Sequence, residues 1–201
     1  MNHIDTNRRP LIPALRFPQF TEQWENMKLG EVADVKTGST PRTDIKEYYN
    51  GDKLFVSPAD IQANKVIDIT KTTLTDLGFS KGRKIPKGSV LFVCIGSTIG
   101  KVGIAAQDCL TNQQINALTA KKNYSNNFIY YLLENKGSEI KLLAGIQAVP
   151  QINKTDFCNL LFLFPSLPEQ QKIADFLSAV DEKLQALKKK KHLWEQYKKG
   201  I

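Results

Sequence analysis

Apolar residues in this chain come in short runs divided by glycine, proline and polar clusters, and the segment after Pro165 departs from that habit. Met1 to about Arg16 is polar with two prolines and reads as a loose arm, after which Phe17, Phe20 and Trp24 open the folded part. Lys28 to Val35 predicts a short helix or turn, and Lys36 to Pro41 a loop. Leu54-Phe55-Val56 and Val66 to Ile69 predict short strands. Pro86-Lys87-Gly88 is a turn into Ser89 to Ile95, a continuous apolar run of the kind a strand shows when both faces are buried. Gly96 to Gly100 predicts a second turn, and Val102 to Ala106 the strand that follows it. Apolar positions 128, 129, 132 and 133 predict a helix over Asn127 to Asn135, and Leu160 to Phe164 a last strand. The class expected is α+β, without the strict alternation of strand and long helix that marks a doubly wound fold.

Ser166-Leu167-Pro168-Glu169 has the spacing of a capping box with proline in the first turn. No further proline follows, and glycine returns only at Gly200. Ile173, Val180, Leu187, Trp194 and Ile201 recur every seven residues, with Leu177 and Leu184 at the alternate heptad positions. The seam predicted from this, Ile173, Leu177, Val180, Leu184, Leu187 and Trp194, weakens where Lys191 and Lys198 take the next alternate positions. A helix from here to the end spans ~50 Å, too long for a small domain to cover, so an antiparallel coiled coil with a second helix is expected. An amphipathic helix folded back on its own domain is the other reading. The division expected is residues 1–165 as a globular domain and 166–201 as a long helix.

The chain has 201 residues, of which 41% are hydrophobic, within the globular range. Twenty-eight Lys and Arg against 20 Asp and Glu leave a net charge of +8, which favours a polyanionic partner. Cys94, Cys109 and Cys158 lie far apart among apolar neighbours, an odd and unpatterned set that suits small hydrophobes in a reducing cytoplasm. Asn7 to Ile12 resembles a twin-arginine signal, but Arg16, Gln19 and Glu22 break the apolar run that should follow. No stretch approaches the ~18 apolar residues of a membrane helix, so a soluble protein is expected.

Gly96-Ser97-Thr98-Ile99-Gly100-Lys101 is near a phosphate loop, but Ile95 stands where the first glycine belongs and Val102 where Ser or Thr follows the lysine. His3 and His192 have no companion set for nucleophilic or metal chemistry. Asp44-x-Lys46 is a scrap of a nuclease motif without its upstream Pro-Asp. No catalytic or metal site emerges, and no cofactor is expected in this chain.

Six segments in order resemble the specificity subunit of type I restriction-modification enzymes. They are Pro13 to Phe20 with Trp24 and Lys28-Leu29-Gly30-Glu31-Val32; Gly38-Ser39-Thr40-Pro41 with Tyr48-Tyr49-Asn50-Gly51; and Leu54 to Ile61. The remaining three are Pro86 to Leu91 with Gly96 to Val102, Asn112-Gln113-Gln114, and Pro165 to Ala174, which opens the family's spacer helix. The resemblance implies one target-recognition domain and one helix, half the plan of a full subunit with two of each. It implies a natural half-subunit or a truncated chain; Tyr197 to Ile201 reads like the midpoint of a longer sequence. The implied partners are double-stranded DNA, a methyltransferase (M) subunit, a restriction (R) subunit reached through it, and a second copy through the helix. S-adenosylmethionine, magnesium and ATP would then be used only by those partner subunits.

DNA contacts would come from polar side chains on loops, since phosphate contacts set register and base-edge contacts set sequence. Four groups qualify. Lys36, Thr37, Ser39, Arg42 and Lys46 have Tyr48 and Tyr49 nearby; Lys81, Arg83 and Lys84 precede the proline turn; Ser97, Thr98 and Lys101 follow it; Thr111, Asn112, Gln113 and Gln114 come last. Arg42, Lys46, Arg83 and Lys84 are favoured for readout, and Asn112 and Gln113 stand between framework and phosphate contact. Two rival readings remain: a recognition fragment of a fused methyltransferase-nuclease, and a coiled-coil interaction protein without sequence-specific DNA binding.

Overall fold

A computed structural model describes residues 13, 15–62, 64–145 and 149–200. Most of the expected N-terminal arm, His3, the twin-arginine-like segment and Ile201 of the heptad lie outside the described residues. The first elements are β1 (Glu25–Lys28), α1 (Leu29–Val32), β2 (Ala33–Thr37), a 3-10 turn (Lys46–Tyr48) and β3 (Tyr49–Val56). Then come β4 (Val66–Ile67), β5 (Thr72–Leu74), α2 (Asp76–Phe79), β6 (Val90–Val93), β7 (Val102–Ala105), β8 (Cys109–Thr111) and β9 (Ile115–Ala120). The chain closes with α3 (Asn126–Leu142), α4 (Lys154–Asn159), β10 (Leu161–Phe164) and α5 (Leu167–Lys199).

The continuous apolar run marks β6, which is central in a five-stranded sheet of order β2-β9-β6-β7-β4. Its side chains alternate between two cores, as a pleated strand requires. Val90 and Phe92 meet Phe128, Ile129 and Leu133 of α3 and Phe157 of α4, while Leu91 and Val93 meet Leu54, Val56, Ile85 and Cys109 on the opposite face. That opposite face is covered by the sheet β5-β3-β8, so neither side of β6 reaches water. A small ribbon pairs β1 with β10 antiparallel, tying the start of the domain to the root of α5.

The α+β class holds, with several boundaries corrected. Lys28 to Val35 is helical only over Leu29–Val32; Glu25–Lys28 and Ala33–Thr37 flank it as strands, because β10 and β9 offer them partners. Lys36 and Thr37, expected in a loop, therefore end β2, and Thr111 ends β8. The helix read over Asn127 to Asn135 runs on to Leu142, since Gly137 and Ile140 continue its buried face.

Helix α5 is 33 residues long, about 50 Å. Its first turn is not a capping box: Ser166 makes no side-chain cap, and Glu169 is claimed elsewhere. The Glu169 carboxylate, wholly buried, takes both Nε and Nη2 of Arg16 at 2.6 Å. Gln170 accepts the Ser125 amide and donates to the Pro165 carbonyl, fixing the root of α5 to the start of α3. Ile173 and Leu177, two of the predicted seam residues, pack on the domain core instead, so the fold-back reading holds for those turns. Val180, Leu184, Leu187 and Trp194 stay 39, 48, 54 and 56% exposed. From Glu182 to Gly200 every described residue is exposed, and the helix leaves the domain as a free arm.

Candidate nucleic-acid interface

Strand directions bring the candidate loops to one edge of the five-stranded sheet. Thr37 at the end of β2 sits opposite Asn116 at the start of β9, and Ile115 opposite Val93 at the end of β6. Phe92 in turn faces Val102 at the start of β7. The loop after β2, the β6–β7 turn and the β8–β9 turn must therefore emerge together. The β6–β7 turn links two antiparallel strands rather than a strand and a helix, which removes any phosphate-loop reading of Gly96 to Lys101.

Hydrogen bonds lock these loops together. Gly38 N donates to Ile115 O at 3.0 Å and Ser39 N to Thr111 O at 2.8 Å. A side chain at Gly38 would run into Thr111 and the Asn112 carbonyl, so the approach of the two strands needs glycine. Arg83, from the loop after α2, donates Nη1 to the Thr37 carbonyl at 2.7 Å, and its backbone N–H donates to Ser39 Oγ at 2.8 Å. Thr40 Oγ1 donates to Gln113 Oε1 at 2.7 Å. Tyr49 OH holds the Pro41 carbonyl from below at 2.7 Å. Gln114 N donates to Asn112 Oδ1 while Asn112 Nδ2 donates to Gln114 Oε1, an Asx-type closure of the β8–β9 turn.

These bonds sort the predicted residues. Asn112 spends both ends of its amide inside its own turn, a framework role, whereas Gln113 is exposed. Thr111 is wholly buried, because β8 pairs with β3 beneath the surface, and its hydroxyl has no hydrogen-bond partner among the described residues; its place among loop contacts is corrected. Arg42, favoured for readout, presents its guanidinium fork to Asp44 at 2.6 and 3.1 Å, and that bond holds the Asp44 carboxyl below its ordinary range. Asp44 is thereby an ion-pair partner rather than a nuclease carboxylate. Arg83 is committed in part to loop carbonyls. Lys36, Lys46, Lys81 and Lys84 remain exposed, with Lys84 Nζ 5.3 Å from the Phe79 ring centroid. Lys46 and Lys81 flank the packed pair formed by the 3-10 turn and α2, where Thr75 bonds the Tyr48 and Glu47 carbonyls. Ser97 is exposed and Lys101 half-buried in the β6–β7 turn.

Sequence reasoning missed two residues here. Lys141, in the last turn of α3, donates Nζ to the Ser97 carbonyl at 3.0 Å and adds a cation to this edge. Asn116 is buried, accepts from Thr37 Oγ1 at 2.7 Å and donates to Cys94 Sγ at 3.2 Å, so it anchors the end of β2 from inside the sheet. A lone asparagine inside the apolar stretch Ile115 to Leu118 was the available signal. Burial pushes the Cys94 and Cys109 thiols up to about 12, and all three cysteines are free. Among the described residues, no helix is long and apolar enough to cross a membrane.

Comparison with known proteins bears on this edge. The family described as "Type I restriction modification DNA specificity domain" matches residues 21–194. The chain is 30% identical over 181 residues to the type I restriction enzyme MjaIX specificity subunit of Methanocaldococcus jannaschii, covering 87% of this chain and 42% of that protein. It is 29% identical over 148 residues to the HindI specificity subunit of Haemophilus influenzae, covering 71% of this chain and 32% of that protein. The crystal structure of the HsdS subunit from Thermoanaerobacter tengcongensis superposes with a TM-score of 0.65 at 23% identity, over 89% of this chain and 41% of that one. The chain thus spans less than half the length of these relatives.

Proposed function

This chain belongs to the type I restriction-modification DNA specificity family, and on that premise we propose that it is a non-catalytic specificity subunit that reads one half of a bipartite site on double-stranded DNA. The observation that carries the reading is the gathering of exposed cations and amide side chains on one edge of the sheet, on loops cross-bonded into a single rigid surface. Rigid loops suit readout, since a preformed donor array gives up little conformational entropy on binding. Lys36, Lys46, Lys81, Lys84 and Lys101 serve the phosphates, and Ser39, Arg42, Arg83, Ser97 and Gln113 stand nearest to base edges. Asn112 and Thr37 hold the surface in shape.

In this reading residues 1–165 form the recognition domain and 166–201 the spacer helix. The exposed face of Val180, Leu184, Leu187 and Trp194 pairs antiparallel with the same face of a second copy, an arrangement that a two-fold axis crossing the helices generates. The pair sets the distance between two half-sites, as dimer geometry does in other DNA-binding proteins. A methyltransferase subunit docks on the helices and brings a restriction subunit with it, in the cytoplasm. S-adenosylmethionine, magnesium and ATP act in those partners.

The test is methylation mapping. The chain is combined with a type I methyltransferase subunit from its source organism, and plasmid DNA treated with the pair is sequenced for modified bases. Modification confined to one bipartite sequence, and only when the chain is present, supports the reading. Modification without the chain, or scattered over unrelated sequences, overturns it.

A further inference from the structure

The free arm of α5 is aimed by two anchors. One is the root, where Glu169 and Gln170 are buried. The second lies three turns on, in a cleft of about 440 Å³ between α3, α5 and the segment entering β4. There Lys65 Nζ donates to Tyr131 OH at 3.1 Å and to Ser178 Oγ at 3.0 Å, and Tyr131 OH donates to Asp181 Oδ2 at 2.7 Å. Lys65 also lies over the rings of Tyr131 and Tyr130, with Nζ 4.3 and 5.1 Å from their centroids. Its backbone carbonyl accepts the Ile104 amide at 2.8 Å, which roots the lysine in the central sheet. Three elements distant in sequence thus meet at one partly buried ammonium.

We infer that Lys65, Tyr131, Ser178 and Asp181 form a positioning latch that fixes the direction in which α5 leaves the domain, and so the half-site spacing. The spacing consequence rests on the function proposed above; the latch itself does not. The geometry is that of a lever. Glu169 and Asp181 are about 18 Å apart along the helix, and about 27 Å of helix extends past Asp181. A sideways shift of 1 Å at Asp181 therefore moves the helix end by roughly 2.5 Å, a large part of the ~3.4 Å that separates successive base pairs. Past Lys188 the described helix lines no cleft with the rest of the domain, and all its residues there are exposed, so nothing further out corrects the error. The bonds are directional and charge-assisted, so they constrain angle as well as distance. Burial draws the Lys65 ammonium below the ordinary lysine range, opposed by the nearby carboxylates of Asp181, Glu134, Asp175 and Glu182.

The test is a pair of spin labels on the full chain, at Lys122→Cys on the domain and Lys198→Cys on the free arm, with Cys158→Ser and an excess of unlabelled chain so that each labelled molecule is seen alone. Tyr131→Phe removes one oxygen and little else; Asp181→Asn and Lys65→Met are the stronger variants. The latch predicts that Tyr131→Phe broadens or shifts the distance distribution by 2 Å or more while thermal unfolding moves by only a few degrees. In DNA selections the same variant admits spacers one base pair longer or shorter. An unchanged distribution in Tyr131→Phe and Asp181→Asn, with unfolding temperature lowered, marks a purely structural contact and overturns the latch. If the unsubstituted chain selects no DNA motif, the function reading fails, and the label distances still decide the latch.

Discussion

Gly38 is where a single methyl group should do the most damage. It lies at the end of β2, its amide bonded to the Ile115 carbonyl at 3.0 Å and the next amide, Ser39, to the Thr111 carbonyl at 2.8 Å. In Gly38→Ala the new Cβ meets the carbonyls of Thr111 and Asn112 and the Thr111 hydroxyl, all inside contact distance. Two of these are backbone atoms at the end of a buried strand, so they cannot swing aside and the β2 end must move outward. That breaks both amide bonds, each worth about 1 kcal/mol net. Overpacking adds about 1–3 kcal/mol, for a total of about 3–5 kcal/mol, a large part of the ~5–15 kcal/mol that holds a typical domain. At a slope of about 2 kcal/mol per molar urea, the unfolding midpoint falls by roughly 1.5–2.5 M. Gly200→Ala, at a helix end where a new Cβ meets only ordinary van der Waals contacts at 3.7 and 3.8 Å, is the control and moves it little. Thr40, Gln113 and Arg83 share the displaced loop, so DNA affinity falls as well. A midpoint within about 0.3 M of the unsubstituted chain, with DNA binding intact, refutes the claim that the interface depends on this close approach.

Three further outcomes follow from the same geometry. Arg83→Lys leaves the charge but not the planar guanidinium whose Nη1 reaches the Thr37 and Gly38 carbonyls; DNA affinity measured by fluorescence anisotropy drops roughly tenfold, about 1.4 kcal/mol, and an unchanged affinity contradicts that role. Val180→Glu with Leu187→Glu places charges on the exposed seam; light scattering should report a monomer with its helix content intact, and a dimer that survives places the interface elsewhere. Folding raises Cys94 and Cys109 above the ordinary thiol value of 9.0 to about 12, and Tyr131 from 10.0 to about 12. The native state keeps protons that the unfolded chain releases, so this contribution is complete below about pH 9 and is lost as pH rises toward 12. Urea midpoints should fall over that window, and less steeply in Cys94→Ala/Cys109→Ala; equal slopes remove the thiols as the cause.

The elements legible in the sequence are those whose pattern has one physical solution. Val90 to Ile95 is apolar without a break, and a run that short between Gly88 and Gly96 suits a strand with both faces covered. The stretch from Glu169 to Lys199 has neither proline nor glycine, and a helix resulted. β8 and β9 escaped because Thr111, Asn116 and Thr119 interrupt their apolar pattern; Thr111 and Asn116 are buried, Asn116 on Thr37, and half-buried Thr119 shares a hydrogen bond with Ser89. The capping box failed because the Glu169 carboxylate is taken by Arg16, 153 residues away. The candidate interface was legible as a set of loops but not as a division of labour. Arg42 is held by Asp44, Asn112 closes its own turn, and Lys141 arrives from the far end of a helix. Those assignments depend on strand register, and no local spacing encodes register across such distances.

The central claim is that this edge of the sheet reads a DNA sequence. The direct measurement is a selection on random duplex DNA, with the chain bound to its methyltransferase subunit at near-physiological salt, since affinity here depends steeply on ionic strength. The account predicts recovery of a split motif, palindromic when the chain pairs with itself, and its loss when Gln113→Ala and Arg83→Ala are combined. An assembled complex that recovers no motif, or one indifferent to both substitutions, contradicts it.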